Sequence, residues 1–185
     1  MTDDWVSRLR DALAAEYRDL PWVATLATVD SDGRPRARSV VCRRLLDDGT
    51  MWYASDARSE KNAHARTAPA AEVVFWLPRQ REQFRLLGRL ELIGAGTESP
   101  DRLALWREMS DTARALFAWP PPGEPRVTDP AAFPERVGAH VPPPANFELL
   151  VLRPEQVERL GLSLHPHNRR RWRAVDGWQG VALNP

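Results

Sequence analysis

Turn signals spaced along a β-rich stretch constrain the fold of this chain more than any other feature. Asp30-Ser31-Asp32-Gly33 and Asp47-Asp48-Gly49 each separate segments rich in Val, Thr and Leu, which is typical of strands joined by hairpins. The predicted elements lack the regular alternation of strand and helix that a doubly wound α/β protein requires. Neither G-x-G-x-x-G nor a Walker loop occurs. The pattern therefore favours an antiparallel barrel with added helices.

Periodicity and turn chemistry assign the individual elements. Strands are predicted at residues 22–29, 35–46, 50–54, 71–77, 82–93 and 147–152. Helices are predicted from residue 2 or 3 to residue 20, at 59–67 and at 99–119, followed by a helical turn at 154–158 and a last hairpin around Asp176-Gly177. The expected fold is mainly β (α+β): an antiparallel six-stranded barrel with flanking helices.

Length and charge limit the class of protein. A chain of 185 residues is expected to form one domain. Its 26 Lys and Arg residues balance 25 Asp and Glu residues, so no overall field points to nucleic acid or to an acidic membrane. Any anion-binding site must therefore be local.

Composition divides this expected single domain, residues 1–185, into five parts. They are an N-terminal helix (1–20), a barrel core (22–98), a helix (99–119), a proline-rich arm (120–145), and C-terminal strands with a tail (146–185). Nine of the 17 prolines lie between Pro120 and Pro144, which predicts an irregular segment there. The sequence leaves open whether this arm is a mobile lid or a strap between subunits.

The sequence also carries signals about location. Cys42 is the only cysteine and cannot form an internal disulfide. The acidic start Met1-Thr2-Asp3-Asp4 lacks the basic flank and apolar run of a signal peptide. The longest strictly apolar run, Val73 to Leu77, is too short to cross a bilayer. A cytoplasmic protein without a membrane partner is expected.

Cations and a hydroxyl group converge on one predicted site. Arg34, Arg36 and Arg38 alternate along the second strand, which predicts that their side chains share one face of the sheet. Ser59-Glu60-Lys61 opens a predicted helix, and Lys61 is the only lysine of the chain. Cations, a hydroxyl and free backbone N–H groups together suit a phosphate. The alternative is a solvated arginine ladder of the kind found on many protein surfaces.

Several longer motifs follow one another in a recognisable order. They are residues 24–35 (ATLATVDSDGRP), residues 38–43 (RSVVCR), Trp52-Tyr53-Ala54, Ser59-Glu60-Lys61, residues 81–88 (REQFRLLG), His167-Asn168-Arg169 and the ending Trp178 to Pro185. In this order they resemble the pyridoxamine 5′-phosphate oxidase family of FMN-binding split barrels. The resemblance covers about residues 22–93 best, and the arm hardly matches.

The resemblance implies FMN as cofactor, a split barrel, and a homodimer with FMN at the interface. The implied cofactor-binding residues are Arg38, Ser39, Val40, Val41, Tyr53, Ala54, Ser59, Lys61, Gln83 and Arg169. Arg38, Ser59 and Lys61 would bind the phosphate, and Gln83 would hydrogen-bond the ring system. The backbone of residues 39–41 and the pair Tyr53 and Ala54 would contact the flavin. Arg169 would come from the partner subunit.

The same resemblance implies substrate-binding residues and exposes departures from the family pattern. Arg43 stands where a lysine contacts the substrate phosphate, and His167 keeps a histidine of that site. Trp106, Ser110 and Arg114 fall near further substrate-binding positions. Other departures affect the cofactor's phosphate and the arm. Glu60 replaces a basic residue, and residues 120–124 (PPPGE) replace a glutamine-serine pair. Weaker phosphate binding is expected from the lost cation.

Two classes of function follow. The first is an FMN-dependent oxidoreductase that transfers a hydride from a small amine or alcohol to FMN, and from there to oxygen or another acceptor. The second is a non-catalytic split barrel that binds a flavin, haem or deazaflavin as a sensor or carrier. No catalytic side chain is assigned. Turnover of bound flavin by a substrate separates the two classes.

Two further motifs have competing interpretations. His165-Pro166-His167 contains two possible metal ligands, but no Cys, Asp or Glu lies nearby at ligand spacing, so a polar turn is favoured and no metal is expected. Residues 169–173 (RRRWR) interleave cations with an aromatic ring, as nucleic-acid-binding segments do. The near-neutral total charge and the resemblance favour a small-molecule substrate instead.

Overall fold

The protein is described here from a computed structural model, which describes residues 4–185. The helices are α1 (Trp5–Tyr17), α2 (Glu60–Thr67), α3 (Pro100–Glu108) and α4 (Asp111–Ala115). The strands are β1 (Trp22–Val29), β2 (Pro35–Leu45), β3 (Met51–Asp56), β4 (Ala70–Leu77), β5 (Glu82–Ile93), β6 (Phe147–Gly161), β7 (Asn168–Arg173) and β8 (Val181–Leu183). The start of the first helix, predicted at residue 2 or 3, falls outside the described residues.

The strands form one antiparallel sheet that closes on itself. Their order is β3-β2-β1-β4-β5-β6-β7-β8, and an additional pairing of β3 with β6 closes six of them into a barrel. β7 and β8 extend the sheet beyond the closure. The predicted six-stranded antiparallel barrel with flanking helices is therefore confirmed.

Both predicted turns are formed, and glycine is required in each. Gly33 has φ +78° and Gly49 has φ +85°, a region that L residues rarely adopt. A Cβ atom on Gly49 would also lie 2.3 Å from the Trp5 ring. Arg34 belongs to the first turn and pairs with Asp32 at 2.6 Å, so only Arg36 and Arg38 of the predicted ladder lie on β2.

Alternating side chains fill the barrel interior. Along β4, Val73, Phe75 and Leu77 are fully buried, while the residues between them are more exposed. Helix α1 packs on the same core through Leu9 and Leu13, and the Asp4 carboxylate caps its first turn. The predicted apolar stripe of this helix is confirmed through Tyr17, which is half-buried and packs against the same core. Leu20, predicted to extend it, lies after the helix and is exposed.

The third predicted helix, 99–119, is divided in two. Ser99 caps α3, with Pro100 in its first turn, as predicted. Met109 and Ser110 then adopt extended backbone, and Ser110 caps the short α4. The break lets Met109 pack into a second hydrophobic cluster around Trp106, Phe117 and Phe147.

The predicted helical turn at 154–158 is wrong, because these residues continue β6. Strand β6 pairs with β5 on one edge and with β7 on the other. Pro154 lies opposite Gly88 at a register shift, a position where a strand tolerates proline. A Cβ atom on Gly88 would lie 2.2 Å from the Arg153 carbonyl oxygen. Pairing with two neighbouring strands overrides the local helical pattern here.

The helices are short compared with the thickness of a bilayer. Among the helices within residues 4–185, none combines the length and apolar character that crossing a membrane requires.

Candidate cofactor-binding site

The barrel is split between β2 and β3. Strand β2 pairs with β1 from Pro35 to Cys42, but its pairing with β3 covers only Cys42–Leu45, with a register shift after Cys42. Residues 39–41 therefore have one edge without a strand partner. Ala54 lies on β3 just beyond the paired region. The predicted flavin-contacting backbone of 39–41 and Ala54 thus borders the opening of the barrel.

Two partly buried cations lie near the end of this opening. Lys61, in the first turn of α2, donates to the Ser59 hydroxyl at 2.9 Å. Arg38, on β2, donates to the Leu26 carbonyl and the Thr28 hydroxyl. All three acceptors are neutral oxygens, and within residues 4–185 neither cation makes an ion pair.

Burial destabilises the protonated, positively charged form of both side chains. Burial lowers the pKa of the Lys61 ammonium; Asp56 opposes this, and nearby Arg38 lowers the pKa further. Burial also lowers the pKa of the Arg38 guanidinium, Arg36 lowers it further, and the Glu60 carboxylate opposes both effects. Two adjacent, desolvated positive charges without a carboxylate partner are stabilised by a bound anion. A phosphate monoester, which carries about −1.5 to −2 charges at neutral pH, fits this arrangement.

A hydrogen-bonded chain holds Arg38 in position. Its guanidinium donates to Thr28 Oγ1 at 2.6 Å, and that oxygen lies 2.9 Å from His64 Nδ1 on α2. Both Thr28 and His64 are buried. The contact ties α2 to the strands that carry the arginine. The sequence does not reveal this role of His64, because residues 28, 38 and 64 show no shared local pattern.

A second network fixes the beginning of α2. Asn62 is fully buried, accepts hydrogen bonds from the hydroxyls of Ser55 and Ser59, and donates to Glu148 at 2.6 Å. Glu148 also accepts from Arg66 at 2.6 Å. These bonds connect α2 to β3 and β6 and so orient Ser59 and Lys61. Asn62 is a further positioning residue that the sequence analysis did not identify.

The negative charge of Glu60, next to the cation pair, is balanced by Arg36. Its carboxylate pairs with Arg36 at 3.0 Å, and both side chains are exposed. The negative charge of Glu60 is therefore offset by a neighbouring guanidinium, while the weaker phosphate binding expected from the lost cation stays a prediction. Exposed pairs of this kind contribute little to stability, so the effect is mainly electrostatic.

Tyr53 serves the barrel core rather than the opening. Its side chain is fully buried in the core, and its hydroxyl donates to Met51 Sδ at 3.2 Å. Burial raises the pKa of this hydroxyl well above its usual value. Only the main chain of Tyr53 can contact a flavin, so a side-chain role is excluded by the fold.

Gln83 and Arg169 lie in one row across the sheet. Gln83 is opposite Leu160 in the pairing of β5 with β6, and Leu160 is opposite Arg169 in the pairing of β6 with β7. Gln83 and Arg169 also line the same small cavity of about 90 Å³. Arg169 donates to the buried Glu158 at 2.6 Å, and Arg85 donates to the same carboxylate. The two arginines lower the pKa of Glu158 against the opposing effect of burial.

The predicted substrate residues lie on different strands of the sheet. Arg43 is exposed on β2, and His167 is exposed just before β7, with Nδ1 3.0 Å from the Leu164 carbonyl oxygen. One way round the barrel β1, β4, β5 and β6 lie between these strands, and the other way β3 and β6 lie between them. Their substrate-binding roles stay predictions.

Two residues considered for the substrate site are structural. Trp106 is 2% exposed and donates to the Val141 carbonyl. Arg114 is 3% exposed and donates to the carbonyls of Val137 and Met109. These bonds hold the proline-rich arm and the break between α3 and α4. The polar groups of Trp106 and Arg114 are therefore engaged within the fold.

The chain is similar in sequence to known proteins that bind FMN or are named as oxidases. The model of the pyridoxamine 5′-phosphate oxidase FMN-binding domain matches residues 2–94. Pyridoxine/pyridoxamine 5′-phosphate oxidase 2 of Arabidopsis thaliana is 30% identical over 142 residues, 74% of this chain and 72% of that protein. The pyridoxine/pyridoxamine 5′-phosphate oxidase of Rhodococcus jostii is 32% identical over 191 residues, 96% of this chain and 81% of that protein.

A solved structure supports the same relationship over the whole chain. It is a pyridoxamine 5′-phosphate oxidase-related, FMN binding protein from Nostoc punctiforme, 36% identical, with a TM-score of 0.89 and 100% coverage of both chains. These similarities agree with the structure, in which a cation pair lies beside the opening of a split barrel. The chain belongs to the pyridoxamine 5′-phosphate oxidase family of FMN-binding proteins, and its cofactor is FMN.

Proposed function

We propose that the protein is an FMN-dependent oxidoreductase acting on a small amine or alcohol. The observation that carries this proposal is the partly buried cation pair, Arg38 and Lys61, beside a split in the barrel where backbone edges are unpaired. When bound in this site, FMN would supply hydride-transfer chemistry between a substrate carbon and oxygen or another acceptor. The relatives named as oxidases support redox chemistry in this family.

The chain's own residues bind and orient the reactants. Arg38, Lys61 and the Ser59 hydroxyl hold the phosphate, while residues 39–41 and Ala54 lie along the flavin. Arg43 and His167 are the proposed substrate-orienting residues. Arg43 is exposed and carries a positive charge, so it can hold an anionic substrate group.

We also propose that the protein forms a homodimer with the cofactor at its interface. Trp76 is 47% exposed and Val23 is 40% exposed on the outer face of the sheet. Val23 lies on β1 and Trp76 on the neighbouring strand β4, where Trp76 is opposite Gln83 of β5. We propose that a second copy of the chain covers this apolar face.

Charge placed on this face is expected to break the dimer. Trp76→Glu would bury a carboxylate without a partner, which is unfavourable in an apolar interface. Sedimentation velocity should show a dimer for the parent and mainly monomer for Trp76→Glu. Val175→Glu is the control, because Val175 is 85% exposed in a turn away from this face. A monomeric parent that retains FMN would contradict the proposal.

Anaerobic reduction of the bound flavin tests the activity. The visible spectrum of the purified protein should show FMN, identified by mass spectrometry after heat release. Pyridoxamine 5′-phosphate, pyridoxine 5′-phosphate and small amines are then added without oxygen. The correct substrate class should bleach the flavin absorbance, and oxygen should restore it.

The variant Arg43→Ala separates substrate binding from cofactor binding. It should raise the KM of the active substrate while leaving the FMN content unchanged, because Arg43 is exposed and does not contact Arg38 or Lys61. Bound FMN that no amine or alcohol reduces would refute the oxidoreductase and favour a non-catalytic carrier.

A further inference from the structure

A small cavity, here called the Arg43 cavity, lies where β2 meets the end of α3. Its volume is about 210 Å³, and it is lined by Arg43, Leu105, Glu108 and Met109. Sites that hold a whole small molecule typically measure about 300–1,000 Å³, so this cavity has room for one end of a substrate. Arg43 follows the proposed flavin-contacting segment 39–41 by two residues, or roughly 7 Å along the strand.

A β-bulge leaves Arg43 without an opposite residue in the sheet. Cys42 is opposite Tyr53 and Arg44 is opposite Trp52, so Arg43 is the extra residue between two pairs. An extra residue of this kind redirects its side chain, and such bulges are common beside active sites. Within residues 4–185, the Arg43 guanidinium makes no hydrogen bond and no ion pair. Its N–H donors are therefore free to contact a ligand.

The next arginine, Arg44, is already engaged. Its guanidinium donates to both carboxylate oxygens of Glu108, with Nε at 3.1 Å, and it packs over the Trp52 ring, 4.8 Å from the centroid. Glu108 lines the cavity, whereas Arg44 does not. Arg43, Arg44 and Glu108 together carry a balance of one positive charge. That charge belongs to the unpaired Arg43.

The other polar side chains considered for this site point to the same charge balance. The Trp106 indole and the Arg114 guanidinium donate to backbone carbonyls of the proline-rich arm. The Ser110 hydroxyl accepts from a backbone N–H and caps α4. None of these three residues lines the Arg43 cavity. Arg43 is the one cation in the lining that residues 4–185 provide.

The cofactor's phosphate site provides the contrast within the same molecule. There, the two cations Arg38 and Lys61 lie near the Ser59 hydroxyl. A phosphate monoester, with about −1.5 to −2 charges, suits two cations. A carboxylate carries a single negative charge and can accept two parallel hydrogen bonds from one guanidinium. The Arg43 cavity, with one free guanidinium and a carboxylate in its own wall, matches the carboxylate better.

We propose that the Arg43 cavity binds a carboxylate group, so that the substrate is a carboxylate-bearing amine or alcohol and not a phosphate ester. The inference rests on the proposed function, because it takes Arg43 as a substrate-binding residue. Leu105 and Met109 are buried and give the cavity an apolar floor, on which an apolar part of the substrate packs. The Glu108 carboxylate repels a second negative charge, which disfavours a phosphate dianion.

Two anions that share a ring and differ in charge test this inference. Benzoate and phenyl phosphate are titrated into the FMN-loaded protein at neutral pH, and calorimetry gives their dissociation constants. Bound FMN keeps phenyl phosphate out of the cofactor's phosphate site. The parent should bind benzoate about tenfold more tightly than phenyl phosphate. Arg43→Ala should weaken benzoate binding by about 10- to 100-fold, because a charge-assisted hydrogen-bonded pair is lost.

A second variant changes the preference between the two anions. Glu108→Gln removes the carboxylate and frees Arg44, so it should tighten phenyl phosphate binding by about tenfold and benzoate binding less. Both Arg43 and Glu108 are exposed, so their replacement leaves the core intact. The controls Arg107→Ala and Glu155→Gln each remove one exposed charge from outside the lining. They should change neither dissociation constant by more than about threefold.

The outcomes separate this inference from the proposed function. A parent that binds phenyl phosphate as tightly as benzoate, or that binds neither anion, overturns the carboxylate assignment. Unchanged benzoate binding in Arg43→Ala overturns it as well. Reduction of the bound flavin by pyridoxamine 5′-phosphate also overturns it, while supporting the oxidoreductase. The expected benzoate preference, in a protein whose flavin no carboxylate-bearing amine or alcohol reduces, supports the carboxylate site and refutes the proposed function.

Discussion

Replacing Arg38 with alanine is expected to weaken FMN binding by about 10- to 100-fold, because hydrogen bonds to a charged group contribute about 1.5–3 kcal/mol. Arg38 is partly buried, makes no ion pair within residues 4–185, and is held by Thr28 beside Lys61. Removing it leaves the bound phosphate with one cation fewer in a desolvated site. Quenching of flavin fluorescence gives the dissociation constants.

Arg34→Ala is the matched control for this variant. It removes the same charge from the neighbouring turn, where the Arg34 side chain is 70% exposed and pairs with Asp32. Its FMN affinity should stay within about threefold of the parent, because exposed charges are screened. Arg38→Lys should give an intermediate loss, since it keeps the charge but not the planar geometry. Equal dissociation constants for Arg38→Ala and the parent would remove Arg38 from the phosphate site.

Replacing Asn62 with alanine is expected to lower the free energy of unfolding by about 2–4 kcal/mol, because each buried polar group left without a partner costs about 1–3 kcal/mol. Asn62 is fully buried and bonds Ser55, Ser59 and Glu148. The variant leaves the buried Glu148 carboxylate with Arg66 as its remaining side-chain partner. Urea unfolding monitored by circular dichroism measures the change.

Asn168→Ala tests whether loss of any asparagine has this effect. Asn168 is exposed at the start of β7, so its replacement should change the free energy of unfolding by no more than about 0.5 kcal/mol. If Asn62→Ala were as stable as Asn168→Ala, the network between α2 and β6 would not stabilise the fold. The structural role of Asn62 would then be wrong.

Local patterns were sufficient where neighbouring residues decide the conformation. The turns at Gly33 and Gly49 and the cap at Ser99 were predictable, because the side chains and backbone angles involved belong to a few consecutive residues. The continuation of β6 through residues 154–158 was not predictable in the same way. Its conformation depends on β5 and β7, which are distant along the chain.

The candidate site shows the same division. The motif resemblance selected Arg38, Ser59 and Lys61, and the fold brings the elements that carry them together. It did not identify His64 or Asn62, which position those residues from α2. Nor did it distinguish the buried Arg114 from an arginine free to bind substrate, since both have the same side chain and differ only in their surroundings.

The turns, the strand-rich order and the residue types that bind a phosphate follow from backbone preferences and chemical groups within short stretches of the chain. The tertiary structure alone decided that β3 closes the barrel on β6, that Glu60 is offset by Arg36, and that the arm encloses a cavity next to Lys61. Each of these depends on contacts between residues far apart in the chain. Only packing in three dimensions determines which distant groups become neighbours.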